Sequence, residues 1–134
     1  MKILIHKDSK FIWKSGDLHT NFGVIKERDI IKAKIGSKVK SNIKVEFVVM
    51  EPLFNDLLQK IKRGPQIIIT KDIGYILTNT GISKDSIVLE AGSGSGYLTA
   101  FLSAFCRKVI SYERKKEFFN LARDNIKFLG LKNI

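Results

Sequence analysis

The run from Ile87 to Tyr97 constrains this chain more than any other segment. Ile87-Val88-Leu89 is continuously apolar, the pattern of a strand covered on both faces of a parallel sheet. Glu90 follows it, and then Gly92, Gly94 and Gly96 fall at alternate positions. Beyond them Leu98, Phe101, Leu102 and Phe105 share one face of a predicted helix. Val109 to Tyr112 reads as a second strand ending at Glu113, and Lys115 to Leu129 as a second helix. The buried stripe of that helix is Phe118, Ala122, Ile126 and Leu129, and Gly130 stops it. Strand, helix, strand, helix is the opening of a doubly wound α/β sheet.

In such a sheet a ligand lies beyond the carboxyl ends of the strands, where the first turn must let backbone approach it. Three glycines remove side chains there and permit positive φ, while the helix from about Tyr97 points N–H groups at the same place. Glu113 is positioned to accept both hydrogens of a ribose diol. A dinucleotide fingerprint would read Gly-x-Gly-x-x-Gly, and here Tyr97 follows Gly96, so that pattern fails; no P-loop is present either. Tyr97 has two open roles, contact with the ligand or the start of a helix. Phe118 has two as well, a wall of the ligand site or part of the core.

Residues 1–51 read differently. Ile3 to Ile5, Phe11 to Trp13, Phe22 to Ile25 and Val45 to Met50 are short apolar segments separated by turn residues, which predicts a small β-barrel or β-sandwich module. Residues 52–65 form a linking helix and linker: Pro52 suits a first helical turn, Leu53, Leu57 and Ile61 repeat at helical spacing, and Gly64-Pro65 ends the segment. Residues 66–134 begin a Rossmann-like domain, with Gln66 to Ile69 extended and Asp72 to Thr80 a short helix. The sequence stops at Ile134, where a third strand is expected, so the predicted sheet is incomplete.

Charge narrows the partner. With 24 Lys+Arg against 13 Asp+Glu the formal net charge is +11, which favours a polyanion; the competing reading is a solvated lysine-rich surface. Residues 1–64 hold the larger share of the excess. Cys106 has no cysteine partner, and no His/Cys cluster has metal-ligand spacing, so no metal site is predicted. His6 and His19 read as structural. No apolar run approaches a membrane span and the N-terminus lacks a signal peptide pattern, which predicts a cytoplasmic protein.

Three segments carry a family resemblance: His19 to Ile25, Lys62 to Asp72, and Val88 to Thr99. Together they resemble the archaeal branch of the tRNA (adenine-N1)-methyltransferases of the T-loop, class I enzymes dependent on S-adenosyl-L-methionine, and the resemblance covers essentially the whole chain. Ile69 and Thr70 stand where the family usually has tyrosine and proline. The resemblance implies a small N-terminal β-domain before a Rossmann-like sheet, tRNA as substrate and a homotetramer. It implies that Gln66, Ile67 and Ile68 flank the cofactor, that Gly92, Gly94, Ser95, Gly96, Tyr97 and Leu98 bind it through backbone, and that Glu113 holds its ribose. Phe118 would border the adenine. Glu90 would lie near the methionine end or only orient backbone at the strand end. Lys71 and Asp72 would pass beside the cofactor or form a surface pair at a helix start. The family's catalytic aspartate would fall beyond Ile134, so no catalytic residue is assigned and this chain is expected to be an inactive N-terminal portion. Two other expectations compete. The cofactor turn and Glu113-Arg114 also resemble protein L-isoaspartate O-methyltransferase, and the chain could serve as a non-catalytic tRNA-binding or assembly module.

Overall fold

Hydrophobic alternation in Lys2–His6 (β1) and Ser9–Trp13 (β2) builds an antiparallel hairpin in which Lys2 faces Trp13 and His6 faces Ser9. β1 also pairs with Glu46–Met50 (β6), and β6 with Lys38–Lys40 (β5), giving the sheet order β2-β1-β6-β5. A separate hairpin joins Leu18–Thr20 (β3) to Gly23–Ile25 (β4). Side chains from both sheets meet in one core, where Leu4, Ile25, Phe47 and Val49 are fully buried. This is the predicted sandwich-like module in outline, with two strands, β3 and β5, that hydrophobicity alone does not mark.

The helix Glu27–Lys32 (α1) also lies outside the predicted pattern. Only Ile30 of it is buried, so it has no apolar stripe to read. Its first turn carries Glu27 and Asp29, favourable at the positive end of the helix dipole. Its open carbonyls are capped from outside: Lys2 Nζ donates to the carbonyls of Ile30 at 2.6 Å, Ile31 at 3.1 Å and Ala33 at 2.8 Å.

The structure is a computed structural model that describes residues 1–64 and 67–134. Its contacts define two units, Met1–Gln59 and Lys60–Ile134. The predicted linking helix is short, Phe54–Leu58 (α2), and belongs to the first unit; Ile61 is buried but outside it. Asp56 accepts the Leu53 N–H at 3.0 Å and pairs with Lys10 of β2 at 2.6 Å, which ties α2 to the sheet.

In the second unit, Thr70–Asn79 (α3), Ile87–Ala91 (β7), Tyr97–Phe105 (α4), Lys108–Tyr112 (β8) and Lys116–Leu129 (α5) follow the predicted order. β7 and β8 are parallel, with Glu90 opposite Ser111 and Ala91 opposite Tyr112. Val88 and Val109 pack toward Leu102 and Cys106, a small apolar filler whose thiol is pushed up by burial. Among the described residues one face of the two strands is open: Ile87 is 54% and Leu89 70% exposed, and Ile110 and Tyr112 beside them in β8 are exposed as well. Only the face carrying Val88 and Glu90 is packed, because α4 supplies a cover on that side alone. Phe105 is likewise exposed rather than sharing the buried face of Phe101 and Leu102.

Candidate functional site

The turn after β7 is held by the end of β8. Gly92 N–H donates to the Tyr112 carbonyl at 2.7 Å, and Gly94 N–H donates to Glu113 Oε2 at 2.9 Å. Gly94 has φ +56 and Gly96 φ +75, left-handed values that a residue with a β-carbon adopts only at a cost. The two glycines serve different ends. A β-carbon on Gly94 would meet nothing within 4 Å and would project into open space, as it would on Gly92. One on Gly96 would lie 3.4 Å from Ala122 Cα, so Gly96 lets α4 and α5 approach each other rather than admitting a ligand.

Two hollows meet at this turn. One of about 140 Å³ is lined by Ile67, Ile68, Glu90, Tyr97 and Leu98 together with residues 91–95. The other, about 360 Å³, is lined by Gly64, Gly92, Gly94, Ser95, Glu113, Lys115 and Phe118. Both have Gly92, Gly94 and Ser95 as a shared wall. A larger hollow of about 510 Å³ between β8 and α5 contains neither acid and is lined mainly by apolar chains such as Val109, Ile110, Phe119 and Ile126. The turn, not that groove, gathers the polar groups a ligand needs.

Glu113 directly follows β8 and its carboxyl faces the glycine turn. The Lys115 N–H donates to Oε1 at 2.9 Å, and with the Gly94 N–H on Oε2 these bonds hold the carboxyl below its usual range. A carboxylate offers about four acceptor positions, so those left open suit a vicinal diol. Phe118 is half-buried in the same hollow, with Lys115 Nζ 5.3 Å from its ring centroid.

Glu90 is buried and its Oε2 accepts hydrogen bonds from Thr99 and Ser111. Ser111 spends its one proton on Glu90, so Ser93 donates to Ser111 in turn. Glu90 thus lines the smaller hollow and, through these two hydroxyls, ties the end of β7 to α4 and β8. Tyr97 is buried against Phe101 at a ring distance of 5.5 Å, with the Arg63 guanidinium 5.9 Å from its ring centroid, and it also lines that hollow. Gln66 lies outside the described residues, whereas Ile67 and Ile68 are placed at the hollow with Leu98. Lys71 and Asp72 are exposed at the start of α3 and line neither hollow. Among the described residues no group of His, Cys, Asp and Glu could hold a metal ion, and no helix is long and apolar enough to cross a membrane.

Sequence reasoning overlooks Asn125. It is 4% exposed in the middle of α5, where its Nδ2 donates to the Ser95 carbonyl at 2.8 Å and to the Lys62 carbonyl at 2.7 Å. Its Oδ1 accepts the Lys62 N–H at 3.0 Å. One side chain thus pins the glycine turn and the segment leading to Gly64. The signal was available: Asn125 falls on the face shared by Phe118, Ala122 and Leu129, where a polar residue needs a buried partner.

A parallel strand–helix–strand unit with a glycine turn at its first strand and an acid closing its second is the beginning of a Rossmann-like sheet. Comparisons with known proteins give that class a family. Residues 17–134 match the family model described as Protein-L-isoaspartate(D-aspartate) O-methyltransferase (PCMT), and the chain belongs to that family. The chain is 37% identical over 114 residues to the tRNA (adenine(57)-N(1)/adenine(58)-N(1))-methyltransferase TrmI of Methanocaldococcus jannaschii, covering 83% of this chain and 39% of that protein. It superposes on the tRNA (m1A58) methyltransferase TrmI of Aquifex aeolicus with a TM-score of 0.81 at 31% identity, covering 98% of this chain and 53% of that one. A SAM-dependent O-methyltransferase of Thermotoga maritima gives a TM-score of 0.85 at 27% identity, with 97% and 51% covered. The chain is therefore similar to the N-terminal portion of TrmI-like enzymes, and spans about half the length of the structures it matches.

Proposed function

We propose that this chain provides the cofactor-binding side of a methyltransferase that uses S-adenosyl-L-methionine to form N1-methyladenine in the T-loop of tRNA. The observation that carries the tRNA reading is sequence identity over most of the chain: 37% over 83% of it to the Methanocaldococcus jannaschii tRNA enzyme and 31% over 98% to the Aquifex aeolicus one, against 27% over 97% for the Thermotoga maritima O-methyltransferase. An excess of lysine and arginine agrees with a polyanionic substrate.

The residues present fit an adenosyl group. Gly92 and Gly94 leave open space where side chains would stand, Glu113 has acceptor positions to spare, and Phe118 offers an apolar wall in the same hollow. On this reading Glu113 holds the ribose and Phe118 borders the adenine. Gly92 to Leu98 approach the ligand through backbone, and Ile67, Ile68 and Glu90 close the smaller hollow around the methionine end. The bound cofactor supplies a sulfonium-activated methyl group. The chain's own task is to fix the orientation of that group and to keep water from it, which is where positioning contributes most to a transfer of this kind.

A second reading, methyl esterification of isoaspartyl residues, is favoured by the family match over residues 17–134. The two separate cleanly. Labelled methyl transfer by the intact gene product is offered unmodified tRNA and an isoaspartyl peptide in parallel, and the product nucleoside is identified. Label in 1-methyladenosine with an inert peptide is the expected result; label in the peptide with inert tRNA reverses the assignment.

A further inference from the structure

The first unit gathers three turns at one end of its sheet. The β1–β2 turn is Lys7-Asp8, and the β5–β6 turn follows Lys40 and returns at Glu46. β1 and β6 are antiparallel neighbours, and His6 Nδ1 lies 2.8 Å from the Glu46 carbonyl, so both turns project from the same end. The β3–β4 turn joins them: the Phe22 ring is 4.7 Å from that of His6, and Asn42 N–H donates to the Val24 carbonyl at 2.9 Å.

At this end the backbone does something that local chemistry does not favour. Lys7 has φ +50 and Lys44 φ +66, and among the described residues they are the non-glycine positions with positive φ. A β-carbon makes that conformation costly, and glycine or asparagine would relieve it. Both positions instead carry a long cationic side chain, and neither ammonium has an ion-pair partner among the described residues. Beside them Lys38 and Lys40 share the single carboxylate of Glu46, at 3.0 and 3.4 Å, which leaves positive charge uncompensated. Strain retained at two neighbouring turn tips, each ending in a free cation, marks groups kept for what they contact.

We propose that this end of the first unit is a docking surface for the phosphate backbone of RNA, with Lys7 and Lys44 as its two principal contacts. The proposal rests on the tRNA reading above and adds where on the chain that substrate is held. Adjacent strands lie about 4.8 Å apart, so flexible lysines on neighbouring hairpins can reach successive phosphates of one strand. Such contacts position the RNA and do not read its sequence.

Glycine substitution separates this role from a structural one, because it removes the cation and relieves the strain together. The K7G/K44G double variant of the intact gene product is expected to unfold at the same temperature as the wild type or higher. It should bind unmodified tRNA about tenfold more weakly near 0.1 M salt, with the slope of log affinity against log salt reduced by about 1.5. Lys84→Ser, an exposed lysine of the second unit, is the control and should change neither. Unchanged affinity and slope in K7G/K44G, or an equal loss in the control, would overturn the proposal. So would weakened retention on an acidic polypeptide with tRNA binding intact. If wild-type protein methylates tRNA while the double variant binds it normally, the surface alone is wrong. If the wild type neither binds nor methylates tRNA, the functional reading fails with it.

Discussion

Replacing Asn125 by leucine tests whether the glycine turn is held from α5. The two bonds to Lys62 involve a residue that is itself exposed, so water recovers much of their value; each is worth roughly 0.5–1 kcal/mol net. The bond to the Ser95 carbonyl is different, because Ser95 is 2% exposed and leucine leaves that buried acceptor without the amide, a cost of about 1–3 kcal/mol. Leucine is similar in size and returns about 1 kcal/mol through added apolar burial. The balance is a loss of roughly 1–4 kcal/mol, a large part of the total stability of a small domain. Urea unfolding followed by circular dichroism reads this loss, and titration with S-adenosylhomocysteine reads the second effect. With Ser95 released the turn is no longer fixed against the hollow, and affinity should fall at least tenfold. Ile126→Val on the neighbouring helix position is the comparison: it should cost about 1 kcal/mol and leave affinity nearly unchanged. Asn125→Leu that unfolds within about 0.5 kcal/mol of wild type, with unaltered affinity, would refute the argument.

Three further outcomes follow from the same geometry. Gly96→Ala forces a β-carbon into φ +75 and against Ala122 Cα at 3.4 Å, and should lower stability by about 1–2 kcal/mol or more, read as a drop in melting temperature. Glu113 is held below its ordinary range by the Lys115 and Gly94 N–H groups, so the stability it lends is complete above the usual glutamate value and lost as pH falls through the lowered one. Glu113→Gln should abolish that acid-side loss, seen as a flatter pH dependence of Gly94 amide exchange below about pH 4. Thr99→Val removes a hydroxyl that donates to the buried Glu90 carboxyl and should lower stability by about 1–3 kcal/mol, read as a lower urea midpoint.

Legibility in the sequence followed the kind of signal each residue leaves. The order of elements in the second unit was readable because β7, α4, β8 and α5 each bear a regular period, and Gly92 to Gly96 could be placed because glycine carries its conformational meaning in its identity. The first unit was readable only where strands are strongly apolar. β3, with His19 exposed at its centre, and β5, with a single buried Val39 between lysines, owe their pairing to partners distant in sequence. α1 owes its form to charges at its ends and to Lys2 from β1, a contact no local window contains. The apolar run at Ile87 to Leu89 marked β7 itself, and Val88 is its contact with the α4 side of the sheet. Asn125 and Thr99 left no signal in a search for apolar stripes, yet both are buried: Asn125 holds the Ser95 carbonyl of the turn and Thr99 holds Glu90.

The two acids of the turn show why spacing alone cannot assign roles. Glu90 and Glu113 end successive parallel strands and look equivalent in the sequence. Their surroundings separate them. Glu90 is braced by the hydroxyls of Thr99 and Ser111, groups fixed by α4 and β8, so its first duty is to register those elements against β7. Glu113 is braced by N–H groups of the turn and of the chain just after itself, so any movement of Gly94 moves the carboxylate with it. A ligand that bonds to Glu113 therefore stiffens the turn that carries Gly92, Ser93 and Ser95, while one that touches Glu90 meets a group already fixed. In the proposed cofactor site, Glu113 is therefore the acid coupled to the turn backbone, and Glu90 the acid coupled to the packing of α4 and β8 against β7.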